Sequence, residues 1–400
     1  MRQVSAAELR AFLVDRLGFA GPFWAAAEAS ARAAGLGMIQ IDSIRSTGLR
    51  NHELAWVARA EATPQDWYAA VHGRGEFRES HFPLFAVRRD WLPHLIAAFT
   101  DFRARHRAER RRLLPLMRRL TQHMRDNGPV TVAQFTAKRI PGGFNTVKAT
   151  TAALEYLFYD RVVQIAGRTP HFHRIFDLTE RVAPELVDWA PLAAAAYERF
   201  LVESALDVLK IATADQLADR VAIHYGQWRG ASIRRWRTLV ERLLPEVARS
   251  VKVSDLPDNP VYWYLPQDEA GWERTIPPDD AVRLVPPLDN LMFNRKRFSQ
   301  LFGFDYKFEA YTPADQRRFY FAMPILHGAD VAGLIDARID RSDSKVQWQV
   351  TGLELKQSVP PEALRAGIHR VARIAGAEKV ALATRTTREL RRLLTGPCGG

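Results

Sequence analysis

The chain has 400 residues and carries 57 Lys+Arg against 45 Asp+Glu, for a net charge of +12 and a pI near 10.0. That balance points to a polyanionic partner, nucleic acid first and an anionic membrane surface second. No apolar run is long enough to span a bilayer, and the one cysteine, Cys398, excludes an intrachain disulfide framework and a thiolate-rich zinc site. A cytoplasmic protein with no cofactor and no metal is expected.

The first elements are helical. Ser5 is placed to cap a helix, with Glu8 completing a capping box. Gly18–Pro22 breaks the pattern before a second helix over 23–34. Gly35 and Gly37 end it, and an extended segment follows over 38–44. Helix, turn, helix and extended chain fit a winged helix-turn-helix unit. The segment Met38-Ile39-Gln40-Ile41-Asp42-Ser43-Ile44 alternates apolar and polar residues. Gln40 and Asp42 therefore share one side, with Ile39 and Ile41 on the other. On a rigid strand, a carboxylate can carry charge or activate water while a carboxamide orients what is attacked. A half-buried edge strand has the same pattern.

The arginines cluster. One run, from Arg103 and Arg105 through Arg107, Arg110, Arg111 and Arg112 to Arg118 and Arg119, reads as a helix. It is either a solvated face supported by Glu109 or a phosphate-tracking helix. Similar density recurs at Arg229, Arg234, Arg235 and Arg237, interleaved with Trp228 and Trp236.

A second unit begins at the Asn127-Gly128-Pro129 turn. Thr131 caps a short helix, another helix spans 146–158, and strands over 162–165 and 172–176 flank a turn. This is the winged-helix order with the hairpin as wing, and the helix bearing Lys148 is the candidate recognition helix. His171 and His173 read as wing residues. A third, less regular unit has helices over 205–210, 213–221 and 233–244, with a short wing from 251–253 and 261–265. Beyond about 280, strands are expected at 307–311, 318–325, 331–339 and 346–355, then a helix over 361–374. Asp336 and Asp340 read as structural carboxylates paired with Arg338 or Arg341 rather than as metal ligands. The expected fold is α+β: tandem winged helix-turn-helix modules at 1–120, 121–190 and 191–275, then a C-terminal antiparallel β-barrel at 276–400.

Three stretches carry a resemblance. They are IQIDSI followed by Arg50, His52 and LAWVAR; RIFDLTERVAPE, from Arg174 to Glu185; and VPPLDNLMFNRKRFSQLFGFDYKFEAYTP, continuing through RFYFAMPILHGADVAGLIDARIDR to Arg341. Their order and spacing are similar to those of the bacterial winged-helix DNA glycosylases that unhook interstrand crosslinks, the AlkZ and YcaQ (AlkX) group, over nearly the whole chain. The AlkZ branch carries Gln at both polar positions of the first motif and the YcaQ branch carries Gln then Asp. Gln40 and Asp42 side with YcaQ.

The resemblance implies a basic concave surface and a monofunctional glycosylase with Gln40 and Asp42 in its active site. The partner it implies is double-stranded DNA with alkylated or crosslinked guanine, and a monomer is expected. DNA contacts are expected from Arg45, Arg50, His52, Lys148, Arg295, Lys296, Arg297, Arg338 and Arg341. There are two departures. Glu79-Ser80-His81-Phe82-Pro83 stands where the group carries Trp-Ala-His, and Gly333-Leu334-Ile335-Asp336 lacks the usual arginine before its aspartate. The alternative function is a non-catalytic winged-helix regulator. A regulator prefers one duplex sequence, whereas a repair enzyme binds with little sequence preference and strong salt dependence.

Overall fold

The computed structural model describes all residues except 74, 81–83, 98–105, 137, 142–145, 224–232, 274–280, 343–344, 384–390, 392–393 and 399–400. They form two compact units, each assembled from separated stretches: Met1–Trp67, Val202–Arg220 and Val240–Gly400 in the first, Tyr68–Leu201 and Val221–Leu239 in the second.

The first unit ties the two ends of the chain together. Strand Arg2–Val4 pairs in parallel with Arg249–Val253, which pairs antiparallel with Val261–Tyr264. The N-terminus thus completes a sheet in the segment read as a third module. The helix Ala6–Arg16 starts at the expected capping box, with Ser5 Oγ accepting from Glu8 N–H and Glu8 accepting from Ser5 N–H. The helix Asn51–Val57 is buried along its whole length. Three arginines serve its C-terminal end: Arg59 donates to the Ala55 carbonyl, Arg370 to Val57 and Arg283 to Ala58. They satisfy carbonyls that the helix leaves open and oppose its negative dipole end. Part of the positive charge therefore holds the fold together and is unavailable to a polyanion.

The C-terminal part of this unit is a curled half-barrel sheet. Its strands Val282–Leu284, Met323–His327, Asp330–Asp340, Gln347–Leu355, Lys379–Leu382 and Gly396–Pro397 lie in chain order. The sheet is mixed rather than wholly antiparallel. Gln347–Leu355 and Lys379–Leu382 pair in parallel, and the helix Pro361–Ile374 lies between them in the chain, as a parallel crossover requires. Residues 307–311 and 318–321 are irregular, not the strands expected. In 318–321, carboxylates rather than a neighbouring strand take the N–H groups. Glu309 accepts from Arg318 (3.1 Å) and Phe319 (3.2 Å), and Asp336 from Tyr320 (3.0 Å) and Phe321 (2.9 Å). Asp336 also accepts the Thr351 hydroxyl at 3.0 Å, so its hydrogen-bond partners are these groups and not Arg338 or Arg341.

In the second unit, the helix Arg107–Asn127 buries Leu113, Met117, Leu120 and Met124 at helical spacing. Arg111, Arg112, Arg118 and Arg119 are exposed, while Arg110 pairs with Asp160. Arg103, Arg105, Trp228 and Arg229 lie outside the described residues. Strand Val130–Thr131, a 3-10 turn Val132–Gln134, helix Ala149–Tyr159 and the hairpin of Val163–Arg168 with Arg174–Leu178 follow. Lys148 is not on the helix. It ends strand Thr146–Lys148, paired with Arg139–Pro141, and occupies the N-cap position of Ala149–Tyr159.

A buried carboxylate organises this unit. Glu79 receives Arg168, Arg174 (3.4 Å) and His72 (3.2 Å). Burial alone would push its carboxyl up, but the His72 hydrogen bond and the Arg168 and Arg174 charges hold it down at about 2. The stretch Arg174 to Glu185 supplies further pairs: Glu185 accepts from Arg78 at 3.1 Å and Arg89 at 2.9 Å.

Candidate active site

Gln40 closes the strand Met38–Gln40, with Asp42 two residues on. Ile39 and Ile41 are buried, while Gln40 and Asp42 are half-buried, which is the expected alternation. The strand stops short of the expected 44. Asp42 Oδ1 accepts the Ile44 N–H at 2.7 Å, an Asx turn that diverts the backbone from a ladder. Among the described residues, Oδ2 has no hydrogen-bond partner. Burial raises the Asp42 carboxyl above its ordinary value, and the Ile44 N–H partly offsets this. Tyr311 lies within reach of that charge: burial first, then Asp42, pushes its phenol up.

Distant residues fix the motif. Asn51 Nδ2 donates to the Gln40 carbonyl at 2.9 Å and to that of Leu288 at 3.3 Å, and Asn51 Oδ1 accepts the Leu288 N–H at 2.9 Å. Beside it, Asp289 forms a two-pronged pair with Arg59 at 2.7 and 2.9 Å, both side chains 1% exposed. Asn290 Nδ2 reaches the Leu36 carbonyl at 3.1 Å. The VPPLDN stretch therefore holds the backbone before the motif strand through Asn290 and the end of that strand through Asn51. The chain beyond Asp42 rests on the sheet: Ile339 N–H donates to Ser46 O at 2.7 Å and Trp348 Nε1 to Thr47 O at 3.0 Å. Gly48 turns at φ +90°, where a Cβ would come within 3.0 Å of Ala375.

The expected DNA-contacting residues divide. Arg45 is exposed, with Nε donating to Gly48 O at 2.8 Å, and Arg50 is half-buried against Glu53 at 3.1 Å. Arg295, Lys296, Arg338 and Arg341 are exposed, and Lys148 is half-buried. Two expectations are corrected. His52 is fully buried with its ring 5.6 Å from that of Trp67, out of reach of a phosphate. Arg297 is also fully buried, donating to the carbonyls of Leu209, Ile211, Asn290 and Leu291 at 2.5, 2.7, 3.3 and 3.5 Å. Burial pulls its guanidinium down to about 10. Sequence reading passed over Asn51, Arg59 and Tyr311. The lone arginine ending the apolar run LAWVAR was the available signal for a buried partner. Among the described residues no group of three metal-ligating side chains occurs, and no helix is long and apolar enough to cross a membrane.

The family model for AlkZ-like DNA glycosylases matches residues 33–381. The chain belongs to that family. The DNA glycosylase AlkZ of Streptomyces sahachiroi has a similar fold, with a TM-score of 0.58 at 15% identity, covering 96% of this chain and 100% of that one. As an AlkZ-like DNA glycosylase, the chain is a DNA repair enzyme acting on DNA.

Proposed function

We propose that this AlkZ-like glycosylase hydrolyses the N-glycosidic bond of N7-alkylated purines and unhooks interstrand crosslinks, as a cytoplasmic, nucleoid-associated monomer. Gln40 and Asp42 are its catalytic residues. The observation that carries this reading is the half-buried Asp42 carboxylate, with one oxygen held by Ile44 and the other unbonded among the described residues.

An N7-alkylguanine is cationic and leaves without being protonated. The sugar it leaves develops oxocarbenium character. The chain must then supply negative charge near the sugar and a placed water. A carboxylate in a poorly solvated site stabilises that cation more strongly than one in water. Its raised pKa also makes it a better base toward water. Gln40 positions that water or the sugar. A crosslinked base stays tethered to the opposite strand, so complete flipping does not occur with that substrate.

Phosphate contacts are assigned to Arg45, Arg50, Lys148, Arg295, Lys296, Arg338 and Arg341. The helix, short strand, helix and hairpin over 107–178 act as a winged helix presenting Arg111, Arg112, Arg118 and Arg119 to the backbone. The test uses duplexes carrying N7-methylguanine or a nitrogen-mustard crosslink. The native chain should release the base and leave abasic sites that break only on alkaline treatment. Sequence-selective binding with no base release from either duplex would favour a regulator.

A further inference from the structure

We propose that Tyr311 is a specificity-determining residue whose ring stacks on the alkylated purine during its release. This deepens the reading above and rests on Asp42 marking the reacting sugar.

Tyr311 is 81% exposed, among the most exposed large side chains of the chain. Its ring is nonetheless anchored at one edge, T-shaped against Phe308 at 6.1 Å, and Phe308 sits in turn on buried Phe321 at 6.2 Å. The loop beneath is held by Glu309 and Asp336 through four backbone N–H groups. A Cβ at Gly352 would collide with the Phe319 ring, so the glycine lets this loop lie directly on strand Gln347–Leu355. An exposed aromatic ring on a fixed loop offers a preformed face on which a base can stack.

The partner is identified by what surrounds the ring. The strand that carries Asp336 also carries Ile339, whose N–H holds Ser46 just past Asp42. The loop bearing Tyr311 and the turn that follows Asp42 thus rest on the same strand, Asp330–Asp340. Burial first, and the Asp42 charge after it, push the Tyr311 phenol up. Arg317 lies over Tyr320 at 4.7 Å and Arg318 over Phe319 at 4.9 Å. Phe319 and Tyr320 are half-buried under these arginines and Arg318 is paired with Glu354, so the exposed Tyr311 ring is the face left for a base, with the arginines beside it for the strand's phosphates. An electron-rich phenol ring favours a cationic N7-alkylpurine over a neutral base.

The test measures affinity for a duplex holding 2′-fluoroarabino N7-methylguanine, whose glycosidic bond resists hydrolysis, against the undamaged duplex. Tyr311→Ala should lose roughly 5- to 100-fold of the preference for the damaged duplex. Tyr311→Phe should keep it. Since the side chain is exposed, both variants are expected to fold. Tyr311→Ala retaining the full preference would overturn the proposal. So would Tyr311→Phe failing as Ala does, since that assigns the role to the hydroxyl. The affinity readout needs no turnover. A native chain that released no N7-methylguanine would therefore count against the reaction proposed above and leave the stacking comparison standing.

Discussion

Removing Asp289 tests the architecture around the motif. Asp289 accepts two hydrogen bonds from Arg59 at 2.7 and 2.9 Å, with both side chains 1% exposed. Asp289→Ala leaves a buried guanidinium without its counter-charge, although the Leu17 carbonyl at 2.6 Å and the Ala55 carbonyl at 2.9 Å still accept from it. Breaking one side of a buried pair costs about 3–5 kcal/mol. Loss of the hydrogen bond from Leu291 N–H, now 3.0 Å long, adds about 1 kcal/mol. The assay is urea unfolding followed by tryptophan fluorescence, fitted to the transition of the first unit because a two-unit chain need not unfold in one step. A double variant, Arg59→Met with Asp289→Leu, should recover most of the loss, since apolar replacement of a buried pair is often neutral. A shift below about 1 kcal/mol for Asp289→Ala would refute the reasoning, because it would mean that water reaches the pair.

Further outcomes follow from the same structure. Glu79 is held at about 2 in the folded state against an ordinary 4.5, so its contribution is present above pH 4.5 and disappears as pH falls toward 2. The difference corresponds to about 3 kcal/mol, and Glu79→Gln should flatten the acid-unfolding curve of the second unit across that window. Arg297→Met should lower the melting temperature markedly, because four carbonyls lose their donor. Lys296→Ala should leave melting unchanged and reduce the salt slope of DNA binding by about 1; equal effects of the two on binding alone would contradict their opposite burial. Because burial raises Asp42, the acid limb of base release should fall above the ordinary aspartate value of 3.8, and a limb at or below it would show that Asp42 is solvated.

Two features legible in the sequence stand in the structure. The Ser5 and Glu8 cap and the side alternation of Gln40 and Asp42 depend only on neighbours a few residues away. Some differences come from long-range partners and others from local backbone chemistry. Arg297 looks like part of a surface triplet, yet its acceptors Leu209 and Ile211 lie 88 and 86 residues away. Residues 318–321 have strand-like composition, but Glu309 and Asp336 take the N–H groups a ladder would need. Lys148 was placed on a helix because Thr146-Val147-Lys148 continues the helical pattern, whereas pairing with Arg139–Pro141 draws it into a hairpin. The first motif ends early because Asp42 bonds to its own backbone.

The central claim is that the Asp42 carboxylate drives base loss. It is tested most directly by single-turnover release of N7-methylguanine from a duplex, comparing the native chain with Asp42→Asn at equal DNA occupancy. Asp42→Asn is nearly isosteric and can still accept the Ile44 N–H, so folding and binding should hold while release falls by at least about 100-fold. Release at the native rate by Asp42→Asn would contradict the account.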